Sequence, residues 1–140
     1  MDRTETIQTL VAQALAPVET LQSWPAGTVL FREGDQPEGV YFIHSGEVDL
    51  SFSSPRSGEA KALLIAGGGQ ILGLTCVVSG RVHDSSARTR SACVTGFVDK
   101  REFLRLLDEM PALWLSVLQM ISSNINACWD CMRTLGAAAR

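Results

Sequence analysis

Short apolar runs separated by glycine-rich turns fill residues 24–99 and strongly restrict the folds open to this chain. The turns contain Gly34, Gly39, Gly46 and Gly67-Gly68-Gly69. Many short strands joined by such turns are typical of a sandwich or a β-roll. The two runs on either side of Ser45-Gly46 have the pattern of a β-hairpin. We therefore expect a mainly β protein, either a sandwich or a β-roll.

Helical periodicity flanks this β region on both sides. Residues 5–21 and 101–110 space their apolar side chains as short amphipathic helices do. From Pro111 to residue 135 no further proline and no glycine occurs, so a last helix about 37 Å long is predicted over 111–135. The sequence therefore predicts one domain over 1–140, with helices around the β-roll and a long helix at its end.

The last helix carries a regular apolar stripe. Its members follow one another in steps of three and four residues, the heptad pattern of a coiled-coil seam. They are Trp114, Leu118, Ile121, Ile125, Cys128, Met132 and Leu135. A second stripe of Leu113, Leu115 and Val117 is predicted to cover the β-roll. Two apolar faces predict two partners and hence a parallel homodimer through residues 111–135; the alternative is a helix that only covers its own roll.

Composition narrows the classes of function. The net charge is −3 with no basic patch, which argues against a nucleic-acid-binding face. No run of about 18 apolar residues is present, and the polar start does not resemble a secretory signal, so we expect a cytoplasmic protein with no membrane contact. No set of nucleophile, base and acid is recognisable, and a cupin-like metal centre around His44 would need about three histidines where the chain has 2. We therefore do not expect an enzyme.

Two segments carry motifs of a known family. The first is Gly27-Thr28-Val29-Leu30-Phe31-Arg32-Glu33-Gly34-Asp35, and the second is Val40-Tyr41-Phe42-Ile43-His44-Ser45-Gly46-Glu47-Val48. Both resemble the cyclic nucleotide-binding domain, and more narrowly the sensory half of Crp–Fnr transcription regulators. The resemblance implies that the fold is a double-stranded β-helix of the jelly-roll type, and that the domain is a sensory module with a small-molecule effector. It also implies that DNA is contacted only by a downstream helix–turn–helix domain, which we do not expect within 1–140.

The same resemblance places a phosphate-binding cassette at Gly73-Leu74-Thr75 and His83-Asp84-Ser85-Ser86, with Arg88 close behind. In the family a glutamate of the cassette holds the ribose hydroxyl, and an arginine pairs with the cyclic phosphate. Leu74 and His83 stand at those positions here, and Arg81 or Arg88 could reach an anion only from a shifted position. Each charged hydrogen bond lost costs about 1.5–3 kcal/mol. We therefore expect a degenerate cassette that does not bind cyclic AMP in the ordinary way, and a cyclic nucleotide or another small anion as effector.

Other residues leave alternatives open. The family's base-contacting pair on the long helix corresponds to Cys128-Trp129, whose indole would fill the base pocket or stack on an aromatic ligand. Cys128 and Cys131 also suggest a redox- or metal-responsive dimer, because two copies of the pair would supply about four thiolates. His83 could be a pH-sensitive anion contact or a haem ligand, but a solvated loop histidine is the simpler expectation. Cys76 and Cys93 are predicted to be core residues.

Overall fold

The structure is a computed structural model of the chain, and it describes residues 3–53 and 60–121. Helix α1 (Arg3–Leu15) comes first, and eight strands follow within these residues. They are β1 (Thr20–Trp24), β2 (Val29–Phe31), β3 (Gly39–Ser45), β4 (Val48–Ser53), β5 (Ala60–Ala66), β6 (Ile71–Leu72), β7 (Ser86–Thr89) and β8 (Cys93–Asp99). Helix α2 (Leu74–Ser79) lies between β6 and β7, α3 (Lys100–Glu109) follows β8, and α4 begins at residue 111 and is described to residue 121.

The strands form two four-stranded antiparallel sheets, which confirms the mainly β prediction. The strand orders are β1-β8-β3-β6 and β2-β7-β4-β5. Eight strands in two such sheets are the arrangement of a jelly roll. None of the helices in the described part of the chain is long and apolar enough to cross a membrane.

The predicted hairpin around Ser45-Gly46 is wrong. Strand β3 pairs with β6 and β8, whereas β4 pairs with β5 and β7, so the turn carries the chain from one sheet to the other. Gly46 has a φ of 91°, and a Cβ there would lie 2.4 Å from the carbonyl oxygen of Ala92. Arg90 donates its backbone N–H to the carbonyl of Glu47 in the same corner. A Ser-Gly step permits a sheet-crossing corner as well as a hairpin, and the neighbouring β7–β8 connection determines which one forms.

The first helix is shorter than the predicted range of 5–21. It ends at Leu15, and Thr20 already begins β1, so the β-roll starts before residue 24. Strand β1 pairs along its whole length with β8, from Thr20 opposite Phe97 to Trp24 opposite Cys93. The Trp24 indole N–H also donates to Thr95 Oγ1 at 2.9 Å. This long-range pairing overrides the local helical pattern. The short helix predicted over 101–110 is shifted by one residue, because Asp99 caps α3.

Two apolar clusters form the core. The larger one packs the helices against β3 and β8 and contains Val11, Leu15, Val40, Phe42, Ile71, Leu74, Val77, Val98, Phe103, Leu106, Leu107, Leu113 and Val117. The smaller one contains Phe31, Ile43, Val48, Ala66, Leu72, Ala87 and Cys93. Residues of α2, α3 and α4 therefore share one core, which links the positions of these helices.

Helix α4 presents one apolar face to this core and another to the surface. Leu113 and Val117 are buried, while Trp114 and Leu118 are 39% and 46% exposed. The prediction for Leu115 is wrong, because this side chain is 66% exposed. At about 100° per residue it lies roughly half a turn away from Leu113. Ile121 packs partly against the protein's own core. The predicted seam positions Ile125, Cys128, Met132 and Leu135 lie outside the described residues.

Candidate effector-binding site

Helix α2 anchors the predicted cassette in the core. It begins after Gly73, with a φ of 81°, and ends at Gly80, with a φ of 72°. Its inner face, with Leu74, Cys76 and Val77, is buried. Leu74 is therefore a core side chain, and only 2% of it is exposed. Thr75, on the next position of the helix, is half-buried.

His83 is the buried centre of the site. Only 3% of the residue is exposed, so the expectation of a solvated loop histidine is wrong. Its ring stacks on Phe31, with 3.8 Å between ring centroids and 11° between planes. A Cβ on Gly73 would lie 3.2 Å from His83 Cε1 and 3.3 Å from the Gly39 carbonyl oxygen. The glycine therefore leaves room for the imidazole beside the start of α2.

Backbone hydrogen bonds join His83 to the turn between β2 and β3. The His83 N–H donates to the Asp35 carbonyl at 2.9 Å, and the Gly34 N–H donates to the His83 carbonyl at 2.8 Å. Three residues further on, the Ser86 hydroxyl accepts the Glu33 N–H at 2.9 Å. The first family motif and the cassette are thus held together as one unit, although they lie far apart in the sequence.

The charges around His83 do not favour an anion. Burial lowers the pKa of His83, while the carboxylates of Asp35 and Asp84 act in the opposite direction. Burial also raises the pKa of the Cys76 thiol, to which Asp84 adds and which Arg81 opposes. Both His83 and Cys76 are therefore neutral near pH 7, and carboxylates are the charged groups acting on the imidazole.

The remaining predicted site residues have different surroundings. Ser85 is buried and Asp84 is exposed. Arg88 is exposed, and its Nε donates to the Gly27 carbonyl at 3.3 Å, which directs the guanidinium to the turn between β1 and β2. Cys128 and Trp129 lie outside the described residues. Among the residues that the structure describes, no group of three or more metal-ligating side chains could hold a metal ion.

Sequence reasoning missed Phe31 and Asp35 as partners of the cassette. Both residues belong to the first family motif, which is recognisable in the sequence. Nothing in its local pattern indicates which distant loop it contacts. The pairing of β2 with β7, with Val29 opposite Arg88 and Phe31 opposite Ala87, brings the two segments together.

The sequence profile of the cyclic nucleotide-binding domain matches residues 21–110. No curated protein matches the sequence. Among solved structures, the catabolite activator protein of Thermus thermophilus is 17% identical with a TM-score of 0.74, and the match covers 94% of this chain and 59% of that one. The c-di-GMP responsive global regulator CLP of Xanthomonas campestris is 18% identical with a TM-score of 0.76, covering 94% and 64%. A cyclic nucleotide-binding domain from Methylobacillus flagellatus is 20% identical with a TM-score of 0.77, covering 91% and 80%.

These structural likenesses concern the fold, and this chain spans about three fifths of the length of the first two structures. The profile match is of another kind, because it covers more than half of the chain and includes both sheets and the cassette. The protein therefore belongs to the cyclic nucleotide-binding domain family.

Proposed function

We propose that this chain is a non-catalytic, cytoplasmic sensory domain of a Crp–Fnr-type transcription regulator, and that its degenerate cassette does not bind cyclic AMP in the ordinary way. Its effector site would be residues 73–88. The observation that carries the proposal is the imidazole of His83, which is buried on Phe31 beside Asp35 and Asp84. A neutral ring among carboxylates is a poor partner for a cyclic phosphate, which needs a charged donor.

The shared core suggests how a signal would leave the site. Leu74 and Val77 of α2 pack in the same apolar cluster as Leu113 and Val117 of α4. Because packed cores respond to strain by discrete rearrangement, an effector that moves α2 would also shift α4. Binding would then select between two arrangements of the last helix.

Two partners complete the proposal. A second copy of the chain would pack along residues 111–135, where Trp114 and Leu118 are exposed. DNA would be contacted only through a downstream domain. Proteins with this fold include the catabolite activator protein and the global regulator CLP, whose names describe regulators.

Thermal denaturation with added ligands tests the effector site. We expect no stabilisation by cyclic AMP at micromolar concentration, while cyclic GMP, cyclic dinucleotides and haem are screened in parallel. A true effector at about 100 times its Kd would stabilise the fold by about 2.7 kcal/mol. A saturable stabilisation by micromolar cyclic AMP would contradict the degenerate cassette.

A charge variant then locates the site of any anionic effector. Asp84→Asn removes a carboxylate beside His83, and we expect it to tighten binding by up to about fivefold, or about 1 kcal/mol. Asp108→Asn, on the exposed side of α3, is the matched control and should leave the affinity unchanged. Equal affinities for Asp84→Asn and the unmodified chain would place the effector elsewhere.

The redox- or metal-responsive alternative depends on Cys128 and Cys131, and it has a simple test. Cys76 and Cys93 are free and buried, so we expect them to react slowly in a native thiol count. Metal analysis and thiol counts before and after mild oxidation distinguish the two functions. Bound metal, or a pair of thiols lost on oxidation, would favour the alternative.

A further inference from the structure

Contacts of His83 hold the loop over residues 80–85 against the turn at residues 32–35. The backbone N–H and carbonyl of His83 make the hydrogen bonds to Asp35 and Gly34, at 2.9 and 2.8 Å. The ring adds the stack on Phe31 at 3.8 Å. The residue is only 3% exposed, so water reaches this contact only after the loop has moved.

We propose that protonation of His83 releases residues 80–85 from the turn at residues 32–35 and so opens the effector site at acid pH. The inference rests on the proposed function only in naming this loop as part of an effector site. It concerns the protein without ligand.

The geometry explains why the charged ring would leave. The stacked imidazole has no room for a hydration shell, and an imidazolium buried there would lose most of its solvation. Released into water, the charged ring would regain its hydration, which the buried site denies it. The closed state therefore favours the neutral ring, and the open state favours the charged one.

Other titratable or charged groups surround this contact. They are Arg32 and Glu33 on the turn, Arg81 on the loop, Cys76 on α2, and Tyr41 on β3. Tyr41 lies 6.1 Å from Phe31 between ring centroids, and burial raises its pKa, so it stays neutral in the acid range. Burial raises the pKa of the Cys76 thiol as well. His83 is the histidine of this contact, and imidazole is the side chain that ordinarily changes charge between about pH 7.5 and 5.

The direction of the pH effect follows from linkage. The open loop holds a histidine with an ordinary pKa of about 6.5, whereas burial lowers the pKa of His83 in the closed loop. The open form therefore binds protons first as the pH falls. Its population rises by up to about tenfold per pH unit below about 6.5, until the closed form is protonated as well.

Amide hydrogen exchange measured by NMR on the complete chain tests the proposal. The amides of Gly34 and His83 report on the contact itself, and those of Ile43 and Thr89, bonded to Gln70 and Thr28, serve as internal references. From pH 7.5 to 5, we expect the protection factors of the first pair to fall by up to about tenfold per unit, while the references stay constant.

Two variants complete the experiment, because the chain has only 2 histidines. His83→Phe keeps an aromatic ring for Phe31 but cannot titrate, so the pH dependence should vanish. His44→Gln should leave it intact. Protection at Gly34 that is independent of pH in the unmodified chain, or a dependence that survives in His83→Phe, would overturn the proposal.

A second measurement decides the matter if His83→Phe does not fold. The His83 ring resonances of the unmodified chain are followed through the same pH range. A midpoint below about 6.5, together with loss of protection at Gly34, supports the proposal. A midpoint at or above about 6.5 overturns it. No ligand is added in either measurement, so failure here is distinct from failure of the proposed function.

Discussion

Gly39 lies where a side chain would collide with the neighbouring strand. A Cβ there would be 2.1 Å from the Val98 carbonyl oxygen and 2.7 Å from Phe97 Cζ. Gly39→Ala should therefore force β3 away from β8 and lower the free energy of unfolding by about 1–3 kcal/mol or more. Urea denaturation measures the loss. Gly67→Ala is the control, because a Cβ at Gly67 would meet nothing within 4 Å; equal stabilities for the two variants would contradict the argument.

A hydrogen bond between Glu19 and His44 joins the residue before β1 to the end of β3. His44 Nε2 lies 2.9 and 3.0 Å from the two carboxylate oxygens, and only 9% of the Glu19 side chain is exposed. The carboxylate sits over Gly96, where a Cβ would be 1.9 Å from Glu19 Oε2. Gly96 is thus needed to admit this carboxylate between the two strands.

Glu19→Gln should lower the free energy of unfolding by about 1 kcal/mol, because a charge-assisted hydrogen bond becomes a neutral one. Glu109→Gln removes a carboxylate that pairs with Arg105 on the exposed side of α3, and its effect should stay within about 0.5 kcal/mol. Thermal denaturation of both variants near pH 7 gives the comparison. A larger loss for Glu109→Gln would show that burial does not decide the strength of these pairs.

The resemblance to the family assigned Gly73, His83 and Ser86 to a cassette, but it did not predict the surroundings of these residues. The structure brings them close to one another or to a common turn. The burial of His83 depends on Phe31, which comes from another strand and is positioned by the pairing of β2 with β7. The local sequence around His83, between a glycine and a strand, does not indicate a contact with Phe31.

At the scale of elements, strong local sequence patterns predicted the bounds of helices and strands well, and weak patterns did not. The end of strand β8 and the bounds of helix α3 agree with the predicted ranges to within one residue, because the period changes at Asp99 and the aspartate caps the helix. The first two residues of strand β1, Thr20 and Leu21, fall within the helix predicted over 5–21, because the exposed residues of β1 show no alternation and its pairing with β8 alone defines it. Strand β6 has two residues, Ile71 and Leu72, too few for any periodicity.

The cap of α3 leads to a prediction at this scale. The Asp99 side chain accepts the Arg101 N–H at 2.9 Å and satisfies a backbone donor that the helix leaves free. Asp99→Ala should cost about 1 kcal/mol of folding free energy, and Asp99→Ser should restore most of it. Asp108→Ala, an exposed position near the other end of the helix, is the control. If alanine and serine at position 99 gave equal melting temperatures, the cap would not contribute.

At the scale of the whole molecule, the distribution of apolar surface separates two roles for α4. Leu113 and Val117 complete the larger core cluster, while Trp114, Leu115 and Leu118 remain exposed. Truncating the first pair should therefore unfold the domain, whereas changing the exposed set should leave its fold intact. The helix can thus serve one partner within the chain and another outside it.

The proposed homodimer through residues 111–135 follows from the exposed face and is directly testable. Leu118→Glu places a charge on this face, and we expect it to convert dimers to monomers. The free energy of unfolding of the dissociated chain should change by no more than about 0.5 kcal/mol, the usual range for a surface substitution. Leu21→Glu is the matched control, because Leu21 is 61% exposed and belongs to β1 rather than to α4. Light scattering over a range of concentrations gives the mass of each variant.

If the unmodified chain is monomeric at high concentration, or if Leu21→Glu disrupts the dimer as strongly as Leu118→Glu, the second face of α4 serves a different purpose. A dimer sensitive only to Leu118→Glu would join the site at residues 73–88 to the interface through the core that α2 and α4 share.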